Sequence, residues 1–153
     1  MPSLHFIYAS TSGHTEYVVG EAVAALAAKA PTVNVEVQRA EQTQPDDLLR
    51  GDFLVLASGT WNTGGIEGQL NPHMQVLLKD KAKDIDLRGR KVFLIALGDE
   101  RYLYTARAME HLRQFVTTHH GHVVVPELKI VNEPYGQENT VKKWVDQLCS
   151  HLS

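Results

Sequence analysis

The sequence predicts a doubly wound α/β domain, with five parallel strands in the order 2-1-3-4-5 and helices on both faces of the sheet. Three observations lead to it. Short apolar runs alternate with helix-length stretches, strand then helix, throughout the 153 residues, and that rhythm marks a parallel sheet covered by helices. The first, third and fourth apolar runs are continuous, as strands buried on both faces must be, whereas the second and fifth are weaker and belong at the edges. The length is that of one domain, and 43% hydrophobic and 22% charged residues are enough to bury a core without disulfides or a structural metal. No repeat, low-complexity segment or linker interrupts the pattern, so residues 1–153 read as a single domain.

Leu4 to Ala9 is the first buried strand. Thr15 to Ala30 is an alanine-rich helix with Val18, Ala22 and Leu26 on one face. Val33, Val35 and Val37 alternate with Asn34, Glu36 and Gln38, the period-two pattern of a half-exposed edge strand. Asp52 to Ser58 is the third strand, and Asn71-Pro72 reads as an N-cap and first position opening a helix to about Lys83. Lys91 to Leu97 is the fourth strand. Tyr104 to about His119 is helical, with Ala108, Leu112 and Phe115 on one face. His122 to Val131 is the fifth strand, and Pro126 within it argues for an edge. The last helix places Val141, Trp144, Val145, Leu148 and Leu152 at helical spacing.

Several function classes drop out. A net charge of −3 gives no basic footprint for nucleic acid. No stretch approaches the ~20 apolar residues of a membrane span, and Leu4 to Ala9 lacks the flanks of a signal peptide. The single cysteine, Cys149, rules out an internal disulfide and suits a reducing compartment, so a cytoplasmic location is expected. Cys149 shares a helix face with Trp144 and Leu148 and reads as a structural thiol with nothing basic nearby. His119, His120 and His122 have no cysteine or carboxylate framework around them, so no metal site is expected.

In an open α/β sheet, ligands bind outside the C-terminal ends of the strands, where the strand order reverses. The loops after strands one, three and four are therefore the place to look. The first, Ser10-Thr11-Ser12-Gly13-His14-Thr15, carries four hydroxyls and opens a helix. A helix N-terminus has unpaired N–H groups and a partial positive charge, which suit a phosphate. Taken alone, the loop reads equally well as a hydroxyl-rich cap. Neither G-x-x-x-x-G-K-[ST] nor G-x-G-x-x-G is present, so neither a nucleoside triphosphate nor a dinucleotide is the expected ligand. The second loop is Ser58-Gly59-Thr60-Trp61-Asn62-Thr63-Gly64-Gly65, and the third is Gly98-Asp99-Glu100-Arg101-Tyr102-Leu103-Tyr104. Each sets a large aromatic just past a strand end, and two such aromatics beside a phosphate site point to a planar ring held between them.

These three segments resemble the flavodoxins in order and spacing, and the run S-T-S-G-H-T-E-Y from Ser10 to Tyr17 is close to that family's FMN phosphate loop. The fifth strand runs into the last helix without a long insertion, as in the short-chain members. The resemblance implies a flavodoxin-like fold that binds FMN and shuttles single electrons between redox partner proteins, with no catalytic residue of its own. It implies that Ser10, Thr11, Ser12, Gly13, His14 and Thr15 hold the phosphate, and that Ser58 and Thr60 line the ribityl chain. Trp61 and Tyr102 would cover the two faces of the ring. Backbone groups near Thr60, Leu97 and Asp99 would meet the pyrimidine edge, and the Asn62 carbonyl would meet N5–H of the reduced flavin. Gly59, Gly64 and Gly98 complete these loops, and Tyr104 either reaches the flavin rim or packs the helix start. A monomer is expected. The other functions weighed are a flavodoxin-like FMN or quinone reductase and a flavin-free interaction module on the same fold. The chain departs from the family in three ways: it is nearly neutral where the family is acidic, it has Asn62 where glycine is common, and it sets Arg101 beside the stacking tyrosine.

Overall fold

The computed structural model describes residues 2–65, 67–99 and 106–152. In chain order its elements are β1 (Ser3–Ala9), α1 (His14–Lys29), β2 (Asn34–Arg39), β3 (Phe53–Trp61), β4 (Gln69–Leu70), α2 (Pro72–Gln75), β5 (Lys91–Gly98), α3 (Ala108–Thr118), β6 (His122–Val123), β7 (Leu128–Val131) and α4 (Glu138–Cys149). The sheet runs β2-β1-β3-β5-β6, with β7 also pairing β5, and these strands are all parallel. This is the predicted 2-1-3-4-5 order, its fourth strand being β5 and its fifth the pair β6 and β7.

The side-chain alternation of the three inner strands builds two cores. Leu4, Phe6 and Tyr8 of β1, Val55 and Ala57 of β3, and Phe93, Ile95 and Leu97 of β5 face α1 and α4. Ile7 and Ala9, Leu54 and Leu56, and Val92, Leu94 and Ala96 face α2 and α3 on the other side. Trp144 is buried on α4, where its indole N–H donates to the Pro126 carbonyl at 3.0 Å. Leu152, expected on the last helix, lies beyond its end but still packs against this core.

Four elements differ from expectation, each for a local reason. β3 runs three residues further, to Trp61, because the short strand β4 pairs antiparallel with Thr60 and Trp61. The fifth strand is interrupted between Val123 and Leu128, around Pro126, which has no N–H to give to the ladder. α2 lasts one turn and continues as a π-helical stretch over Val76–Lys81. α3 begins at Ala108, with Ala106 and Arg107 in a turn before it, and its expected start, Tyr104, lies outside the described residues. Residues 100–105 lie outside the described residues, and Ala106, just before α3, has a left-handed φ of 53°.

The histidines near the end of α3 have structural roles. His119 stacks on Phe115 with centroids 4.1 Å apart, and its Nε2 lies 2.9 Å from the Lys83 carbonyl. His120 follows the C-cap with φ 68°. Its N–H donates to Thr117 O, and the Gly121 N–H donates to Val116 O. That is a Schellman end, with histidine in the place usually held by glycine. Cys149 is half-buried, and burial pushes its thiol up. Lys29 lies close enough to pull the other way, so a basic group is nearby after all.

α1 and α4 pack side by side, and their seam is closed by a hydrogen bond from the Tyr17 hydroxyl to Glu138 Oε2 at 2.6 Å. That bond pushes the Tyr17 phenol well above its ordinary value and holds the Glu138 carboxyl below its own.

Two predictions follow from these ends and seams. His120→Gly removes a left-handed backbone cost of about 1 kcal/mol at the expense of an exposed contact with Asp86, so urea denaturation should show a gain of roughly 0.5–1 kcal/mol. Lower stability would mean that the Asp86 contact outweighs the strain. For Tyr17–Glu138 the pH dependence has two limbs. The depressed carboxyl stabilises the fold above its unfolded value of 4.5, and this is lost as pH falls through the folded value. The raised phenol stabilises it below 10.0, and this is lost as pH rises. Tyr17→Phe should flatten both limbs of a stability–pH profile, and an unchanged profile would show that the seam bond contributes nothing.

Candidate functional site

Loops after β1, β3 and β5 meet at the C-terminal end of the sheet. The buried polar residues among those described are His5, Thr15, Thr43, Ser58 and Asn71. Three of them, Thr15, Ser58 and Asn71, lie at this end. Polar groups are costly to bury unless hydrogen-bonded, so this concentration marks where the fold departs from simple core packing.

Gly13 opens α1 from a left-handed conformation, φ 94°, which a glycine adopts freely. The Ser10 hydroxyl oxygen reaches across the loop and accepts from the Gly13 N–H at 3.2 Å and the Glu16 N–H at 3.3 Å. Ser10 thus organises the loop while keeping its own proton to donate. The N–H groups of His14 and Thr15 have no preceding helical carbonyl to bond. Thr11 and Ser12 are exposed, Gly13 and His14 half-buried, and Thr15 buried. No lysine or arginine lies within Ser10–Thr15. The site is a helix N-terminus lined with hydroxyls, the donor set for a phosphate ester.

Around it the loops are tied to one another. The Ser58 hydroxyl donates to the Gly59 carbonyl at 2.9 Å and accepts from the Asn71 N–H at 3.1 Å. It is fully buried, so in this structure the side chain of Ser58, expected along the ribityl chain, is turned into the protein. Thr60 Oγ1 accepts from the Ala108 N–H at 3.1 Å, joining the end of β3 to the start of α3. A Cβ on Gly59 would lie 3.0 Å from Trp61 Nε1 and 3.6 Å from Thr15 Oγ1. Glycine there lets the indole lie back against the strand end beside the phosphate loop.

The Asn62 carbonyl accepts from the Gly65 N–H at 2.8 Å. Gly64 and Gly65 both have positive φ, 70° and 80°. In this structure the carbonyl expected at flavin N5 is therefore engaged by its own turn. The third loop is entered through Gly98, where a Cβ would come within 2.1 Å of the Ala106 nitrogen, so no other residue fits. The Gly98 carbonyl accepts from the Asn132 N–H at 2.7 Å. Leu97 is buried and Asp99 half-buried. Tyr102 and Tyr104, expected at the ring, and Arg101 beside them lie outside the described residues.

Two supports of the Ser10–Thr15 loop were not expected from the sequence. The ring of Tyr135, in the loop before α4, meets His14 edge-on at 5.7 Å and Tyr17 at 4.8 Å. Arg39, at the end of β2, lies over the Tyr8 ring at 5.3 Å and pairs with Glu16 in the first turn of α1 at 3.1 Å. Each joins residues far apart in the chain, and no local pattern announces either.

The residues present fit FMN: hydroxyls and helix N–H groups suited to a terminal phosphate, and the half-buried Trp61 indole at the end of β3 as an aromatic for a flat ring. Comparison with known proteins agrees. The flavodoxin family model matches residues 6–144. Probable flavodoxin 2 of Bacillus subtilis is 28% identical over 142 residues, covering 90% of this chain and 87% of its own. A flavodoxin of Maridesulfovibrio salexigens is 28% identical over 133 residues, covering 86% and 88%. The crystal structure of oxidised flavodoxin 1 from Bacillus cereus shares the fold, with a TM-score of 0.85 at 23% identity over 99% of each chain. The family match over residues 6–144, on a parallel sheet of order 2-1-3-4-5 whose first helix opens in a hydroxyl-lined loop, places this chain in the flavodoxin family, as a short-chain FMN-binding electron carrier.

Proposed function

We propose that residues 1–153 act as one cytoplasmic, monomeric domain that binds FMN through Ser10–Thr15 and passes electrons between a reductase and an acceptor enzyme. The observation that carries the placement is the hydroxyl-lined start of α1 with the Trp61 indole and the Thr15 hydroxyl both bordering Gly59. Bound FMN supplies the redox chemistry, taking up and releasing electrons at its ring. The protein's own groups bind and orient it. Ser10 and Thr11 donate hydroxyl protons to phosphate oxygens, and the N–H groups of His14 and Thr15 add backbone donors. Trp61 would cover one ring face; Tyr102, the sequence's candidate for the other, lies outside the described residues. Thr60 and the backbone at Leu97, Gly98 and Asp99 border the ring edge.

This reading sets an order of affinity. Apoprotein titrated calorimetrically should bind FMN far more tightly than riboflavin, which lacks the phosphate, or FAD, whose second nucleotide meets no recognisable motif. Equal affinity for riboflavin would remove Ser10–Thr15 from the account. Trp61→Ala should weaken FMN by about 1–3 kcal/mol, the scale of flat-ring stacking on an aromatic, and should partly restore the flavin fluorescence that the wild type quenches. Unchanged affinity and quenching would place the indole away from the ring.

A further inference from the structure

We propose that Asn71 is a positioning residue for the phosphate loop: its side-chain amide holds the Thr11 hydroxyl as a proton donor toward the FMN phosphate. The proposal rests on the reading that Ser10–Thr15 hold that phosphate.

Asn71 is fully buried; its carbonyl accepts from the Gln75 N–H within α2, and three further hydrogen bonds tie it to Ser58, His73 and Thr11. Its backbone N–H donates to Ser58 Oγ at 3.1 Å, at the end of β3. Its Oδ1 accepts from the His73 N–H at 2.9 Å, capping α2. That second bond decides which end of the amide is oxygen, because a backbone N–H can only donate. The NH₂ end therefore faces Thr11 Oγ1 at 3.1 Å, across 60 residues of sequence.

The direction of this last bond matters. An amide NH₂ only donates, so the Thr11 oxygen accepts here, and its own proton is left for another partner. Thr11 stands on the exposed side of the loop, and a phosphate offers acceptor oxygens. The hydrogen bonds run outward from Asn71 along two branches, one through Ser58 to the Gly59 carbonyl, the other through Thr11 toward the phosphate. A hydroxyl without such a neighbour rotates between donor and acceptor roles; Thr11 is set before the ligand arrives.

Asn71→Asp separates this role from helix capping. A carboxylate caps α2 as well as the amide does, but it presents Thr11 with an acceptor, and the Thr11 proton turns inward. The quantity to measure is the ratio of riboflavin to FMN dissociation constants of the apoprotein, because damage to the fold weakens both flavins and leaves the ratio alone. The new carboxylate also repels the phosphate directly, so the same substitution is made in a Thr11→Ala background. Asn71→Asp should reduce the ratio about tenfold more when Thr11 is present than when it is absent, the scale of one hydrogen bond to a charged group. Should the aspartate variant not fold, Asn71→Ser, which keeps a capping oxygen but is too short to reach Thr11, serves the same comparison with a change in the same direction. A large wild-type ratio with equal factors in both backgrounds overturns the role of Asn71 alone. A wild-type ratio near one overturns the phosphate loop itself, and this proposal with it.

Discussion

β1, β3 and β5 are covered by helices on both faces, and each has a strand on either side. Residues 54–59 of β3 are buried without a break. A backbone enclosed in this way can meet a ligand only where its ladder ends. At the N-terminal edge the chain arrives from helices whose carbonyl ends face outward. At the C-terminal edge it turns into new helices whose N–H groups face outward. The sheet therefore selects one end for an anionic ligand before any particular side chain is considered. The sharp turns needed there account for Gly13 and Gly98, one by its left-handed backbone and the other by its contact with Ala106.

That logic explains why so much could be read in advance. Continuous apolar runs such as Phe53 to Ala57 and Val92 to Leu97 declare strands buried on both sides, and the alternation of Val33, Val35 and Val37 declares an edge. Once the strand order follows, the location of the site follows with it. The hydroxyl run from Ser10 to Thr15 was visible because a hydroxyl-lined helix start is a local feature, contributed by one short segment.

What stayed hidden was non-local. Asn71 could be recognised as a cap from its proline neighbour, yet nothing in the sequence places it against Thr11. Ser58 had the right residue type and loop for a ligand contact, but the pleat turns its hydroxyl inward to Gly59. β3 was expected to stop at Ser58, because the partner that extends it, Gln69–Leu70, is only two residues long and carries no strand signature of its own. The turn at Asn62 shows the same limit: its glycines announce a bend, but only the folded backbone reveals that Gly65 takes the Asn62 carbonyl.

If Ser10–Thr15 is the phosphate loop proposed above, its composition separates two kinds of recognition in this protein. Ser10–Thr15 holds hydroxyls and helix N–H groups but no lysine or arginine, so on the proposed reading its hold on a phosphate would come from hydrogen bonds within a folded loop. Contacts of that kind are screened far less than attraction between exposed charges on two proteins, which fades over a Debye length of roughly 8 Å at physiological ionic strength. On that reading salt would act on how this carrier meets redox partners much more than on how it keeps its flavin. A molecule that must dock, deliver and leave many times while never losing its cofactor benefits from having the two attachments answer to different properties of the solution.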